Sequence, residues 1–305
     1  MNYMSKKLIG FIGQGWIGKN YANDFEERGY EVVRYGLEEQ YKDNRERIAD
    51  CDIVFIAVPT PTTPTGFDYS IVEEALTNIG AGKIAVIKST ILPGTTEGLQ
   101  AKFPDIFVFH SPEFLTEKNA AYDAAHPTRN IVGMPNANDE YRLMAEEILA
   151  VLPEAPLKLI CKSREAEIVK YGANVFLYLK IIYANILYDF TKSLDCEWEP
   201  VHQAITADPR IGTAHMSPVH ETLGVLGRGA GGHCFLKDYA AFRQLYTELA
   251  GEDVLGLNVL EAIESKNLSL LIGSGKDIDV LKGVYGDFME NHHHEDSCGC
   301  GHDHC

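Results

Sequence analysis

Short apolar runs alternate with polar and glycine-rich segments through the first half of the chain. Runs at 7–12, 31–35, 52–58, 83–88, 106–109 and 130–133 are strand candidates, and helix-like segments lie between several of them. Such alternation predicts a parallel, doubly wound sheet. Around residue 164 the pattern changes to an apolar-rich stretch without a strong breaker through Tyr188, which predicts one long helix. Two further helices are expected at 234–250 and 255–271, ahead of a Gly-rich stretch at 273–286. The reading is an α/β chain: a Rossmann-like doubly wound domain over 1–160, then an all-helical domain with a long central helix over 161–286. Residues 287–305 form a tail, and no internal repeat is visible.

At about 150 residues per domain, 305 residues suggest two. The 27 Lys+Arg against 44 Asp+Glu leave a formal charge of −17 with no basic stripe, so nucleic acid is not an expected partner. The longest apolar region, 175–187, is interrupted by Lys180 and Asn185 and falls short of a membrane span. The segment 1–15 lacks the apolar core and small-residue cleavage site of a signal peptide, so no targeting segment and a cytoplasmic protein are expected. Four cysteines (Cys51, Cys161, Cys196, Cys234) are scattered through the body, which is not the spacing of a disulfide framework.

Chemistry enters at the turn Gly13-Gln14-Gly15-Trp16-Ile17-Gly18, between the first strand and the first helix. A GxGxxG turn in that place lets a dinucleotide pyrophosphate approach the positive end of a helix. The usual ribose-binding acid at the end of the second strand is missing, because Gly36 stands there. Glu38 or Glu39 substitutes for it, or Arg34 favours the 2′-phosphate of NADP. Cys234 follows a glycine-rich loop at a helix start, with Lys237 near, a setting that favours thiolate. Glu113 with Glu117, Lys170 with Asn174, and Cys234 with Asp238 are each spaced by four, one face of a helix. Ser111-Pro112 before Glu113 reads as a helix opening.

Taken in order, these segments resemble the UDP-glucose/GDP-mannose dehydrogenase family. The anchors are the glycine turn, Val58-Pro59-Thr60-Pro61, Lys88-Ser89-Thr90, Ser111-Pro112-Glu113-Phe114-Leu115-Thr116-Glu117, Lys170 with Asn174, Asp208-Pro209-Arg210-Ile211-Gly212, and the stretch from Gly231 to Asp238. The resemblance implies an NAD-dependent four-electron oxidation of a nucleotide-linked hexose, UDP-glucose foremost, at C6, in polysaccharide synthesis. It implies Cys234 as covalent nucleophile, Lys170 and Asn174 as oxyanion stabilisers, and Glu117 and Asp238, with Thr90, for water and protons. Glu113, Phe114, Leu115, Arg210 and Gly231 would meet the sugar substrate. Gly13, Gly15, Trp16, Ile17, Gly18, Pro59, Thr60, Thr90, Glu117 and Lys237 would meet NAD. A homodimer built on the long helix is implied, with Arg210 reaching across it.

Family members usually continue into a third domain that grips the nucleotide, so a shortened form without it is expected. His233 and Leu236 also depart from the family pattern around the cysteine. The competing readings are a two-electron dehydrogenase of another hexose or hydroxy acid, and a cofactor-binding protein without turnover. Catalysis is expected to need no metal. The tail, expected to be disordered, offers His292, His293, His294, Cys298, Cys300, His302, His304 and Cys305 as ligands for a transition metal.

Overall fold

Each apolar run of the first half becomes a strand buried on both faces. The structure, a computed structural model, describes residues 7–64, 66–116, 118–222 and 224–286. In chain order the elements are β1 (Ile9–Ile12), α1 (Trp16–Glu27), β2 (Val32–Tyr35), α2 (Arg45–Ile48), β3 (Ile53–Ile56), and the paired short strands β4 (Thr62–Thr63) and β5 (Gly66–Phe67). Next come α3 (Ser70–Leu76), β6 (Ile84–Ile87), α4 (Thr95–Lys102), β7 (Phe107–His110), α5 (Ala120–Ala125), β8 (Arg129–Met134), α6 (Asp139–Val151) and β9 (Leu157–Lys162). The second half holds α7 (Ser163–Ser193), α8 (Trp198–Thr206), β10 (Val219–Thr222), β11 (Val225–Arg228), α9 (Gly232–Ala250), α10 (Val254–Ser274) and α11 (Ile278–Tyr285).

The seven-stranded sheet has the order β2-β1-β3-β6-β7-β8-β9 and is parallel except where β7 meets β8. Because strand side chains alternate, Ile53 and Phe55 point into one core with Phe11 and Phe25, while Val54 and Ile56 point into another with Ile12, Ile87 and Val108. The rings of Phe11, Phe25 and Phe55 lie 5.1–5.4 Å apart. Each such buried ring contributes on the order of 2–3 kcal/mol relative to exposure.

The described chain divides into two compact units, 7–61 with 67–173, and 62–64 and 66 with 174–286, with α7 running through both. In the second unit Val175, Tyr178, Ile181 and Ile182 of α7 pack with Ala230, Tyr239 and Leu270. Tyr178 stacks on Tyr239 with centroids 4.0 Å apart. Elsewhere on α7, Phe176, Tyr183, Ile186 and Phe190 are exposed, as is Leu194 just past its end. Among the described residues no helix is long and apolar enough to cross a membrane.

Several elements differ from expectation. The Gly-rich stretch at 273–286 contains a helix, α11, because Ile278, Leu281 and Val284 recur at helical spacing and the glycines fall mainly at its margins. Gly275, at φ 65, ends α10 in the left-handed conformation that glycine adopts without a Cβ clash. The helical half also carries the antiparallel hairpin β10–β11. Strand β9 escapes a pattern search because its exposed, lysine-bearing positions belong to the sheet edge.

Candidate functional site

The glycine turn has three glycines with three different tasks. Gly13, at φ 90, makes the tight turn, and a Cβ there would strike the Ala57 carbonyl oxygen. A Cβ on Gly18 would strike the Gly13 carbonyl oxygen, so this glycine sets how closely α1 packs on β1. Gly15, the N-cap of α1, has nothing within 4 Å of its would-be Cβ, which leaves open space at the helix's positive end. Among the described residues no side chain caps α1 and its first turn holds no acid. This end opens on a groove of about 590 Å³ lined by Gly13, Gly15, Trp16, Ile17, Glu38, Pro59 and Ile71, among others. A turn that is tight, open and closely packed at these three points fits a dinucleotide pyrophosphate.

Of the remaining residues assigned to the cofactor, Thr60 is buried and donates its hydroxyl to the Thr90 carbonyl oxygen (2.8 Å). Ser89 Oγ accepts from Val58 N (3.0 Å) and donates to Val58 O (2.7 Å). The loops after β3 and β6 are thereby stitched together beside the groove. Lys237 belongs to the second unit, its amine 3.4 Å from Asp238 Oδ1. Glu117 lies outside the described residues.

Beyond β7 the chain does not form the helix expected at Ser111, and 111–116 is irregular. The Glu113–Glu117 spacing therefore carries no helical meaning. Glu113 instead turns inward. Its Oε2 accepts from Leu115 N and its Oε1 from Lys170 Nζ, both at 2.8 Å, while its carbonyl oxygen takes a second bond from the same amine at 2.9 Å. Both side chains are buried. Phe114 lies under the Arg129 guanidinium, 3.7 Å from its ring centroid.

Lys88, quoted above only as part of a motif, belongs to the same buried layer of the first unit. Its Nζ donates to Ser111 Oγ (3.1 Å) and sits 4.5 Å above the Tyr21 ring. Burial pushes its pKa down to about 8, opposed by the Glu113 charge. His110 is fully buried, and burial together with the charges of Lys88 and Lys170 pushes it down to about 3. A lysine closing the otherwise apolar run 84–88 was the available signal, since ligands gather at the carboxyl ends of parallel strands.

In the second unit Gly231 is the N-cap of α9 and Cys234 its third residue, exposed. One turn on, Asp238 is buried and its Oδ2 accepts from Asn174 Nδ2 at 2.5 Å. The loop ahead of the cysteine is fastened by side chains that sequence reading missed. Asn267 brackets Ala230 through N–H (2.7 Å) and carbonyl (3.0 Å) bonds. Buried Lys276 donates to Gly229 O (3.1 Å) and lies 2.9 Å from His220 Nε2. Asp277 Oδ2 accepts from Gly232 N (2.8 Å), and a Cβ on Gly231 would collide with that same oxygen. Burial and the Lys276 charge push His220 down to about 4. Charged residues placed just beyond the Gly275 helix stop were the only trace of this fastening in the sequence.

Arg210 lies on the surface, paired with Asp208 at 2.6 Å. His292, His293, His294, Cys298, Cys300, His302, His304 and Cys305 lie outside the described residues, among which no group of three potential metal ligands occurs.

Comparison with known proteins adds an independent line. Residues 35–151 match the model of the NAD binding domain of the UDP-glucose/GDP-mannose dehydrogenase family, and residues 164–268 match that of its central domain. A UDP-glucose 6-dehydrogenase of Rickettsia typhi is 33% identical over 204 residues, covering 64% of this chain and 45% of that protein. UDP-glucose 6-dehydrogenase AglM of Haloferax volcanii is 29% identical over 283 residues, 76% of this chain and 64% of its own. A solved UDP-glucose dehydrogenase of Pyrobaculum islandicum superposes with a TM-score of 0.74 at 28% identity, covering 88% of this chain and 69% of that one. The chain spans about half the length of the curated relatives it matches.

Proposed function

The chain belongs to the UDP-glucose/GDP-mannose dehydrogenase family, and from that premise we propose that it is an NAD-dependent nucleotide-sugar 6-dehydrogenase that oxidises a hexose C6 alcohol to a carboxylate. UDP-glucose is the substrate we assign, supported by the names of relatives at 28–33% identity. The observation that carries the reading is Cys234, exposed in the first turn of a helix whose next turn holds a buried carboxylate fixed by Asn174.

NAD, when bound, supplies the acceptor for the hydride of each oxidation. After the first, the Cys234 thiolate adds to the C6 aldehyde carbon, forming a C–S bond and leaving negative charge on the oxygen. Lys170 and Asn174 meet that charge, the first as a cation and the second as an amide donor. Loss of the second hydride from C6 gives a thioester. Water then adds, the C–S bond breaks, and carboxylate and thiolate are released. One alcohol and one water thus become one carboxylate, two hydrides and three protons. Asp238 and Glu117, with Thr90 assisting, handle water and protons, and Glu113, whose carboxylate takes a bond from Lys170, meets the sugar.

We assign a homodimer formed over the exposed apolar face of α7, since a soluble chain seldom leaves such a stripe uncovered. We also assign the protein to the cytoplasm, in keeping with body cysteines spaced for no disulfide framework. The yield of reduced cofactor per molecule of sugar, with Cys234→Ala as control, tests the reaction.

A further inference from the structure

The position that ordinarily supplies a ribose-binding acid, just after β2, is occupied by Gly36. The space a side chain would fill there is taken. A Cβ built on Gly36 would collide with Glu38 Oε2 and lie 3.2 Å from Gln14 Cγ. The carboxylate two residues on therefore folds back over the bare backbone of residue 36. The chain turns sharply to allow it, with the Glu38 carbonyl oxygen accepting from Tyr41 N (2.9 Å) and Lys42 N (3.1 Å). Gly36 and Glu38 both line the groove that holds the glycine turn.

The two competing groups are committed elsewhere. Arg34, the candidate for a 2′-phosphate, is buried, and its guanidinium donates to both carboxylate oxygens of Glu26 (2.9 and 2.7 Å) and to Asn23 Oδ1 (2.8 Å). It is not among the groove-lining residues. Glu39 points away into solvent and pairs with Lys42 at 2.7 Å, and it too is absent from the groove lining.

We infer that Glu38 is the residue that selects NAD over NADP: its carboxylate accepts hydrogen bonds from the adenosine ribose hydroxyls and repels a 2′-phosphate. Gly36 is the accomplice, since any larger residue there would displace that carboxylate. This assignment rests on the reading of the groove as a dinucleotide site. A carboxylate against vicinal hydroxyls makes charge-assisted bonds, and against a phosphate it is a like-charge contact, so one group both attracts and excludes.

Calorimetric titration of the full chain with NAD and with NADP, without sugar, tests this by binding alone. The wild-type chain is expected to prefer NAD. Glu38→Gln is expected to weaken NAD by about tenfold or more and to leave NADP unchanged or tighter, whereas Glu39→Gln changes neither. Adding Gly36→Asp to Glu38→Gln is expected to restore the preference from the ordinary position. A Glu38→Gln chain with unchanged melting temperature that keeps the wild-type NAD-to-NADP ratio overturns the assignment of Glu38 and leaves the dinucleotide site standing. A wild-type chain that binds neither cofactor overturns the dinucleotide reading, and this inference with it.

Discussion

His110 shows how much a single buried side chain can say about pH. Held neutral in the folded chain, it titrates at about 3 against an ordinary 6.5. The folded state then binds fewer protons than the unfolded one between those values, so stability rises with pH across that window. The contribution is present in full above about 6.5 and is lost as pH falls toward 3. Melting temperatures measured from pH 7 down to 4 are expected to fall less steeply for His110→Phe than for the wild-type chain; parallel curves would contradict this account of the buried layer. Much at this scale was legible in advance. The three glycines were visible because a turn, an open helix end and a close helix packing each exclude a side chain at a fixed spacing, and Cys234 because a thiol beside glycines at a helix start is conspicuous. Glu113 was misread through a helical spacing that 111–116 does not adopt. Lys88, Lys276 and Asp277 were missed because burial of a charge depends on contacts distant in sequence.

Among the elements, the long helix α7 was the most legible, since an unbroken apolar-rich stretch has few alternatives. What its first turns do was not. Glu167 of α7 receives Thr96 N (2.9 Å), Thr96 Oγ1 (2.5 Å) and Gly94 N (2.6 Å), so a buried carboxylate sits at the N-terminal end of α4 and ties it to α7. Opposite partial charge at a helix N-terminus favours this arrangement. Replacing Glu167 by Ala strands two backbone N–H groups in a buried place and is expected to cost about 1–3 kcal/mol in urea unfolding. A loss below a few tenths of a kcal/mol would show that water replaces the carboxylate there. Strand β9 and helix α11 escaped notice for opposite reasons: one is an edge strand with lysines, the other is masked by glycines at its margins.

For the whole molecule, the alternation of strands and helices followed by a helical half was readable from periodicity, because that alternation admits few topologies. Oligomeric state is a different matter, since it depends on what remains uncovered after folding. Phe176, Tyr183, Ile186 and Phe190 fall at intervals of seven, three and four along α7, a continuous stripe that Leu194 extends just past its end. Sedimentation of the wild-type chain at micromolar concentration is expected to give a dimer, and Phe190→Asp a monomer. A wild-type monomer would refute the assigned interface. The central claim, a four-electron oxidation through Cys234, is tested most directly by supplying excess NAD with limiting UDP-glucose and measuring reduced nicotinamide at completion. Two molecules of NADH per sugar, lost in Cys234→Ala while that variant still binds NAD, is the predicted result; one per sugar, or a yield unaffected by the substitution, would contradict it.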